Sequence, residues 1–405
     1  MRIWIIDHYS VPPKYYPLAR NTNFAKNLMK MGHDVLIFAA STVHNSTKNL
    51  IEEKEKYKEI YEDGVKYVLI KCHQYTGNGL KRMMNMYEFA YKLKSVCNHY
   101  PKPDAIVSTS MTLQACKKGI LLGKKYGCKT VAQIGDLWPE SIVTYGLAGK
   151  NSLPVVAMRR TEKWIYMNCD SIVFTMEGAY EYIRNQKWDK DIPENKVFFI
   201  NNGVELDKFD DNAKNNVVID DDLEDKNTYK IIYTGSLRRA NSQIFFLLDA
   251  AEKLKDNKHE DIRILIYGKG DLTQEIEEIC RNRGLTNVLL KGFVNKEKIP
   301  YILSKCDLNI LNCISADILK YGGSQNKLFE YLASGHPIIS GEDSPYSVVS
   351  NRHCGISRTF NKPEDLVTAI DELRSNPPSY DYIRSVAEEY DFKRLTKALL
   401  DVIVR

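Results

Sequence analysis

Short apolar runs alternate along this chain with stretches that have the spacing of amphipathic helices. In the first half the apolar runs, each of strand length, are Ile3–Ile6, Val35–Ala39, Val65–Ile70, Ala105–Val107, Thr130–Ile134, Ser171–Phe174 and Val197–Ile200. Helical patterns fall between several of them, for example at Asn23–Met31 and Leu113–Lys125. Alternation of this kind is typical of a parallel sheet covered by helices on both faces, and it predicts a doubly wound α/β domain.

The alternation restarts after a polar, acidic stretch from Asn201 to Lys230. The later elements are predicted as strands Ile231–Tyr233, Ile262–Tyr267, Val288–Lys291 and Leu308–Leu311, and as helices Ser242–Leu254, Thr273–Arg283 and Lys296–Ser304. We therefore predict a first domain over 1–203, a linker over 204–229 and a second domain over 230–383, with a helix at about 384–405 packing back on the first domain. Two doubly wound domains of this kind face each other across a cleft, and ligands bind at the carboxyl ends of their strands.

The composition is that of an ordinary soluble globular protein, with 43% hydrophobic and 27% charged residues among 405. The chain contains no run of about 18 apolar residues, so no membrane-spanning helix is predicted. The opening "MRIWIIDHYS" is interpreted as a first strand rather than a signal peptide. The nine cysteines are scattered without a Cys-x-x-Cys pair, so we expect reduced thiols in a cytosolic protein.

The net charge of +5 is unevenly distributed, because residues 1–200 carry +10 and residues 201–405 carry −5. A basic half suggests that the first domain meets something anionic. Nucleic acid is not expected, since the chain has no zinc finger, basic arm or dense arginine cluster. An anionic membrane face or a phosphorylated acceptor fits the charge as well.

Two glycine-containing loops follow predicted strands of the second half. In "YTGSLRRANS", Gly235 allows close backbone approach, and the helix predicted to begin near Asn241 or Ser242 offers free N–H groups. Ser236, Arg238 and Arg239 complete a candidate phosphate cradle, the alternative being an ordinary loop with solvated arginines. The second loop, "IYGKGDLTQEI", contains Gly268 but lacks the third glycine of a dinucleotide fingerprint, so NAD binding gains little support. The alternative to a ligand-binding loop there is a plain tight turn before a helix.

The third loop is "KYGGSQNKLFEYLASGHPIIS", in which a glycine-rich segment precedes a short helix. Lys327, Glu330 and Tyr331 are spaced to lie on one face of that helix. The apolar residues around them predict a largely buried helix, where a charged pair requires partners. A nucleoside diphosphate would satisfy both charges, with the helix start and Lys327 on the diphosphate and Glu330 on the ribose hydroxyls. The alternative is a solvated Lys–Glu pair.

Taken in order, "YTGSL", "ILIYGKGD" and "NKLFEYLASGHPIIS" resemble the donor domain of family-four glycosyltransferases of GT-B fold. The first-half segments "IGDLWPESIVTYGL" and "KVFFINNGVELDKF" resemble the same family. "DLWPES" and "NKLFEYLASG" resemble the branch of bacterial enzymes of O-antigen and capsule assembly, including fucosamine-type transferases. The resemblance runs over most of the chain and implies two Rossmann-like domains that face each other across a cleft.

The resemblance implies a donor site in the second domain. Of the family's two glutamates, eight positions apart, the second matches Glu330 and implies a ribose contact, whereas position 322 is Gly322. Backbone N–H groups of Gly322 to Ser324 are candidates to replace the missing sugar contact, which would suit a deoxy or N-acetylamino sugar. Where the family has a lysine this chain has Asn241 or Ser242, and Arg238 or Arg239 is available to compensate. The complete predicted donor-binding set is Gly235, Ser236, Arg238, Arg239, Gly268, Val294, Gly322, Gly323, Ser324, Asn326, Lys327 and Glu330.

In the first domain, the resemblance makes Asp136 the candidate carboxylate near the reacting carbon, at a position where many members have a nearby histidine. The alternative is an aspartate that caps a helix before Pro139. No Asp-x-Asp motif suggests a metal, and "DDD" at 220–222 is interpreted as a solvated acidic run in the linker. Positive groups can take the charge of a leaving diphosphate instead, so no metal or other cofactor is expected.

The resulting prediction is a retaining, metal-independent hexosyl or N-acetylaminosugar transferase of bacterial surface polysaccharide synthesis. Its expected partners are a nucleotide sugar, with UDP as the expected nucleotide, and a saccharide or lipid-pyrophosphate-linked acceptor. The alternatives are a GT-B sugar-nucleotide epimerase and a non-catalytic sugar-nucleotide-binding protein.

The segment from Gly77 to Val96 is the candidate membrane contact. Helical spacing predicts that one apolar face of this segment consists of Met83, Met86, Tyr87, Ala90 and Leu93. Met84, Phe89 and Tyr91 lie off that face. The alternatives are a core helix with solvated lysines and a rim that docks on anionic lipid at the inner face of the plasma membrane. The predicted basic groups of that rim are Lys81, Arg82, Lys92 and Lys94.

Overall fold

The chain folds as two α/β units. The computed structural model describes residues 1–17, 19–52, 54–77, 79–239, 243–257, 259–314 and 317–405. One unit comprises Met1–Asn201 together with Phe392–Arg405, and the other comprises Asn202–Asp391. The helix start predicted near Asn241 or Ser242 lies outside the described residues.

The first unit is built on an eight-stranded sheet of order β3-β4-β2-β1-β5-β6-β7-β8. Its strands are β1 (Arg2–Ile6), β2 (Asp34–Ala40), β3 (Tyr57–Glu62), β4 (Val65–Ile70), β5 (Ala105–Thr109), β6 (Lys129–Ile134), β7 (Ser171–Phe174) and β8 (Val197–Phe199). All neighbouring pairs are parallel except β3 and β4, which form an antiparallel hairpin at the edge. The hairpin turn is Asp63-Gly64, where both residues have positive φ, the backbone that matches the twist of the strands.

Helices cover this sheet on both faces. Their bounds are α1 (Arg20–Lys30), α2 (Leu80–Cys97), α3 (Leu113–Tyr126), α4 (Glu140–Thr144), α5 (Leu153–Asn168) and α6 (Ala179–Asn185). Alternate residues of the central strand β1 point into separate cores, with Ile3 and Ile5 on one face and Trp4 and Ile6 on the other. This is why a parallel strand buried on both faces has a continuous apolar sequence.

The second unit contains a parallel sheet of order β11-β10-β9-β12-β13-β14. Its strands are β9 (Tyr229–Thr234), β10 (Ile262–Tyr267), β11 (Val288–Gly292), β12 (Leu308–Asn312), β13 (Ile338–Ser340) and β14 (Gly355–Ser357). The chain runs outward from β9 to β11 and then returns to the other side of β9 with β12. The strand order therefore reverses between β9 and β12, which makes this the topological switch point where open α/β sheets bind ligands.

In the second unit, several strands are each followed by a helix. They are α7 (Leu206–Asn215), α8 (Asp221–Glu224), α9 (Ile244–Asp256), α10 (Thr273–Asn282), α11 (Ile299–Leu303), α12 (Asn326–Ser334), α13 (Val348–Asn351), α14 (Pro363–Ser375) and α15 (Tyr380–Glu389). The last helix, α16 (Phe392–Val404), belongs to the first unit and packs on α1, where the rings of Phe24 and Phe392 meet edge to face at 5.6 Å.

Two boundaries differ from the sequence prediction. Residues 204–229 are not a linker, because α7 and α8 lie within the second unit and bury Leu206, Phe209 and Leu223 in its core. The acidic run is not simply solvated, since Asp220 and Asp222 both pair with Lys291 of β11. At the other end, 384–405 is not one helix: α15 packs in the second unit, and α16 alone belongs to the first.

Candidate functional site

Helix α12 places the predicted donor-binding residues at the switch point of the second sheet. Its buried face carries Leu328, Phe329 and Leu332, which anchor it in the core. The helix ends at Gly335, whose φ of +75° and contact with the Tyr380 ring leave no room for a side chain. The Tyr331 hydroxyl accepts a hydrogen bond from the backbone N–H of Thr234 at 3.0 Å and lies at the same distance from the Thr234 hydroxyl. The helix is thereby tied to the carboxyl end of β9.

Lys327 is a half-buried cation without an anionic partner. Its Nζ lies 4.4 Å from the centroid of the Tyr233 ring, at the end of β9. The ionisable group next to it is the Cys313 thiol, which follows β12, and no described residue supplies a carboxylate or a hydrogen-bond acceptor. Burial lowers the pKa of the Lys327 ammonium to about 8. A cation held between the ends of β9 and β12 in this way is arranged to receive an anion.

Glu330 stands one turn further along α12 and pairs with a different lysine. Its Oε1 lies 3.4 Å from Nζ of Lys296, which precedes α11. The alternative of a solvated Lys327–Glu330 pair is therefore not what the structure shows. Asn326, at the first position of the helix, is exposed, and Val294, in the loop after β11, is half-buried against the core.

The loops after β9 and β10 run against each other through their glycines. The Gly235 N–H donates to the Tyr267 carbonyl at 2.9 Å. A Cβ at Gly268 would lie 1.7 Å from the Gly235 carbonyl oxygen, so any larger residue at 268 would separate the two loops. Arg239 pairs with Glu275 of α10 at 2.9 Å, whereas the exposed Arg238 has no ion-pair partner in the described part of the chain. Ser236 is exposed on the same loop.

The glycine-rich loop before α12 does not present all its N–H groups to a ligand. Gly322, with φ of +99°, donates its N–H to the Leu319 carbonyl at 2.8 Å. The N–H of Gly323 donates to the Glu342 carboxylate at 3.1 Å. These two N–H groups of the predicted set are therefore bonded within the protein in this structure, and their contact with a sugar stays a prediction. The Ser324 carbonyl accepts the Asn202 side-chain amide at 2.7 Å.

In the first unit, Asp136 follows the end of β6 in an exposed position. The Gly135 carbonyl before it accepts the Thr175 hydroxyl at 2.9 Å, which fixes the loop to the end of β7. Desolvation by the surrounding protein raises the pKa of the Asp136 carboxyl, although the side chain remains accessible to solvent. Helix α4 begins after Pro139 without a side-chain cap in the described structure, so the capping role considered for Asp136 is not seen.

Sequence reasoning missed a polar network at the carboxyl end of β1. The buried Asp7 carboxylate accepts the Tyr9 N–H at 3.0 Å, the Ser10 hydroxyl at 2.7 Å and the Asn21 amide at 2.7 Å. The Asn21 carbonyl oxygen in turn accepts the Gln133 amide at 2.8 Å, which links the network to β6. Burial raises the pKa of Asp7 in spite of these bonds. The available signal was an aspartate directly after the first apolar run.

A second buried carboxyl of this unit, Glu162 of α5, was also missed. It accepts the hydroxyls of Tyr166 and Tyr182, each at 2.9 Å, and burial raises its pKa to about 8. Arg159 donates to the Tyr182 hydroxyl at 2.9 Å and to the Glu140 carboxylate at 2.5 Å, so it connects α5 to the first residue of α4. The feature of the sequence that could have indicated Glu162 is a glutamate four residues before a tyrosine on a helix.

Helix α2 presents a different face from the one predicted. The core contacts come from Asn85, Phe89, Ala90, Leu93, Val96 and Cys97. Met83 and Tyr87 were expected inside but are exposed, and Phe89 was expected off the face but is buried. The exposed apolar stripe consists of Leu80, Met83, Met84, Tyr87 and Tyr91.

The four basic residues predicted beside this stripe are not equivalent. Lys81 and Lys94 are exposed. Arg82 donates to the Tyr9 hydroxyl at 2.8 Å, and Lys92 donates to the Lys71 carbonyl at 2.8 Å and pairs with Glu88 at 2.6 Å. Arg82 and Lys92 therefore have structural contacts of their own.

Within the described ranges, no three His, Cys, Asp or Glu side chains are grouped so that they could hold a metal ion. In the same ranges, every helix is either too short or too polar to cross a bilayer. All nine cysteines are free thiols.

Two family models match the chain, one in each half. The model "Glycosyltransferase Family 4" matches residues 20–208, and "Glycosyl transferases group 1" matches residues 217–390. A curated relative is WcaI of Escherichia coli strain K12, which is provisionally named a colanic acid biosynthesis glycosyl transferase. It is 26% identical over 335 residues, which cover 78% of this chain and 77% of the relative.

Solved structures share the fold over the whole chain. Anabaena Alr3699/HepE, solved in complex with UDP, has a TM-score of 0.68 at 12% identity, with full coverage of both chains. Sucrose-phosphate synthase of Thermosynechococcus elongatus has a TM-score of 0.65 at 16% identity and covers 100% of this chain and 96% of its own. Both likenesses are to the two-domain GT-B fold.

Proposed function

We propose that this family-four glycosyltransferase of GT-B fold acts in bacterial polysaccharide biosynthesis, and that it is a retaining, metal-independent enzyme that uses a UDP-linked sugar. The acceptor in this proposal is a saccharide or a lipid-linked saccharide of a surface polysaccharide. The transferred sugar is a deoxy or N-acetylamino sugar, since the glutamate that the family places at position 322 is Gly322 here.

The observation that carries this proposal is the Lys327 ammonium. It lies over the Tyr233 ring at the switch point, has no acceptor in the described structure and follows directly on the start of α12. The first N–H groups of a helix and a cation beside them form a site for phosphate oxygens. The same positive groups stabilise the charge that develops on the leaving diphosphate, a role that a metal ion has in other transferases.

Two carboxylates have proposed roles of their own, Glu330 in the second unit and Asp136 in the first. Glu330 faces the same side of α12 one turn on, where its carboxylate accepts the ribose hydroxyls in competition with Lys296. Asp136 is the proposed carboxylate near the reacting carbon, because it is exposed at the end of a strand and its raised pKa suits proton transfer.

For the acceptor side we propose contact with an anionic membrane surface. The exposed stripe of α2 places Leu80 and Tyr91, which are 78% and 82% exposed, at its two ends. Lys81 and Lys94 flank it. Apolar side chains beside basic ones suit the interface of an anionic leaflet, where a lipid-linked acceptor would be found.

A thermal-shift screen followed by a hydrolysis assay tests the function. UDP and UDP-sugars should raise the melting temperature, because a ligand that binds only the folded state stabilises it. Slow release of UDP from a UDP-sugar, unaffected by EDTA, supports a metal-independent transferase. A strict requirement for Mg²⁺ or Mn²⁺ would contradict it, and UDP-sugar binding without turnover would favour the non-catalytic alternative.

A further inference from the structure

Glu342 is a buried carboxyl with a single hydrogen-bond donor. It follows β13 and is 2% exposed. Its Oε1 accepts the Gly323 N–H at 3.1 Å, and in the described structure no donor reaches Oε2. A carboxyl that is so little exposed usually accepts from more than one donor.

A second unpaired oxygen lies beside it. The side-chain oxygen of Gln325, Oε1, is buried and has no hydrogen-bond partner among the residues that the structure describes. A Cβ built on Gly323 would be 2.7 Å from this oxygen and also 2.7 Å from Oε2 of Glu342. The two acceptor oxygens therefore lie on the same side of Gly323, so close to its backbone that no side chain would fit at this position.

The charged groups around Glu342 have other contacts. Asp343 accepts the Thr359 hydroxyl at 3.1 Å. Lys320 lies over the Tyr321 ring, and Lys327 lies over the Tyr233 ring. The pKa of Glu342 is raised to about 7 by burial, and the Gly323 N–H opposes this only in part. In the described ranges no cation pairs with the Glu342 carboxylate, and no charged neighbour contributes to its pKa.

We propose that Glu342 and Gln325 form the subsite for a hydrogen-bond-donating substituent of the transferred sugar, so that Glu342 determines donor specificity. This inference rests on the proposed function. The substituent is a hydroxyl or the N–H of an acetamido group, since two converging acceptor oxygens recognise a donor.

The position of Glu342 in the sheet agrees with this role. Lys327 marks the ends of β9 and β12, and Glu342 follows β13, the next strand. Neighbouring strands are about 4.8 Å apart, so the ends of β9 and β13 are separated by roughly 10 Å. A diphosphate at Lys327 would direct the attached sugar ring along the strand ends towards Glu342.

Calorimetric titration of the Glu342→Gln variant tests the inference. The ligands are UDP, UDP-glucose, UDP-galactose, UDP-N-acetylglucosamine and UDP-N-acetylgalactosamine. UDP should bind the variant within twofold of the parent, whereas the affinity for the sugar nucleotide that the parent prefers should fall at least tenfold. The matched control is Asp343→Asn, which removes the same charge one residue further along, at an exposed position, and should change neither.

A uniform change over UDP and all four UDP-sugars, including no change, would overturn the role of Glu342. Failure of UDP to bind the parent protein would instead overturn the proposed function, and with it the inference that rests on it.

A measurement on the parent protein tests the same inference without requiring that the variant folds. At pH 7 a substituent that donates to Glu342 stabilises its ionised form, so sugar-nucleotide binding should release more protons than UDP binding does. Titrations in buffers of different ionisation enthalpy measure this difference. Equal proton release for UDP and for every UDP-sugar would contradict the proposal.

Discussion

Asp7 in the first unit and Glu342 in the second are both buried carboxyls that follow a strand of a parallel sheet, but they differ in their donors. Asp7 accepts a backbone N–H, a hydroxyl and an amide from its own chain. Glu342 accepts a single backbone N–H. The carboxyl at the first strand end is used to hold the fold, whereas the one at the second has capacity for a ligand.

The cations of the two units differ in the same way. Arg20 of α1 donates to the Ile200 carbonyl at 2.8 Å and to the Asn201 carbonyl at 2.5 Å. Lys327 of α12 contacts the face of the Tyr233 ring and has no acceptor in the described ranges. Unsatisfied charge at the strand ends therefore marks the candidate site more clearly than charge alone, because buried charges in folded proteins are usually paired.

The largest effect should come from removing the satisfied carboxyl. Asp7→Ala leaves the Ser10 hydroxyl and the Tyr9 N–H without their acceptor and removes one of the three acceptors of the Asn21 amide, and each buried orphan costs about 1–3 kcal/mol. We expect the free energy of unfolding in urea to fall by about 3–5 kcal/mol. Asp343→Ala, at an exposed position, is the control and should lie within about 0.5 kcal/mol of the parent. Equal stability of the two variants would remove the contrast between the units.

Lys327→Met should have the opposite profile. The variant should be at least as stable as the parent, because it removes a half-buried cation that has no anionic partner in the described ranges, and it should bind UDP roughly a hundredfold more weakly, or about 2.7 kcal/mol. Calorimetry and urea unfolding on one preparation measure both quantities. Weak UDP binding together with a large loss of stability would make Lys327 a structural residue.

The lowered pKa of Lys327 also predicts how UDP affinity and stability change with pH. Because the folded-state pKa of Lys327 is about 8, below its ordinary value of 10.5, UDP affinity should fall as the pH rises through 8. The penalty of burying the ammonium is largest below pH 8 and shrinks towards pH 10.5, where the unfolded chain also loses the proton. Lys327→Met should show neither dependence.

Glu330→Ala should weaken UDP binding by about 1.5–3 kcal/mol through the loss of a charged hydrogen bond to the ribose. Lys296→Met is the matched control, because it removes the partner seen at 3.4 Å and leaves the carboxylate free. Its affinity for UDP should equal or exceed that of the parent in calorimetry. Unchanged affinity in a folded Glu330→Ala variant would leave the ion pair with Lys296 as the only role of this residue.

Much of the fold could be predicted because buried parallel strands are continuously apolar. Val65–Ile70, Ser171–Phe174 and Ile262–Tyr267 were predicted to the residue. Strand β3, "YKEIYE", was missed, since it is a half-exposed edge strand with a polar sequence. Helix α7 was hidden by its acidic composition, although Leu206 and Phe209 have helical spacing.

The candidate site was predictable only where it is local in sequence. Lys327 and Glu330 lie on one helix, and their spacing alone puts them on one face. The contact between Gly323 and Glu342 depends on the loop before α12 lying beside the end of β13. No periodicity in the sequence reports such a contact, and the preference of Glu330 for Lys296 over Lys327 is of the same non-local kind.

The smallest effect is expected at the exposed stripe of α2. Each lysine near an anionic surface contributes about 1 kcal/mol, so Lys81→Glu with Lys94→Glu should weaken sedimentation with anionic vesicles by roughly 2 kcal/mol and leave folding unchanged. Arg82 and Lys92 are left in place, because they hold Tyr9 and Glu88. Lys150→Glu with Lys190→Glu makes the same charge change at other exposed sites of this unit and should bind as the parent does. If both double variants lose binding equally, attraction is due to net charge and not to α2. If the parent does not bind such vesicles at all, the stripe is not a membrane contact and the acceptor is soluble.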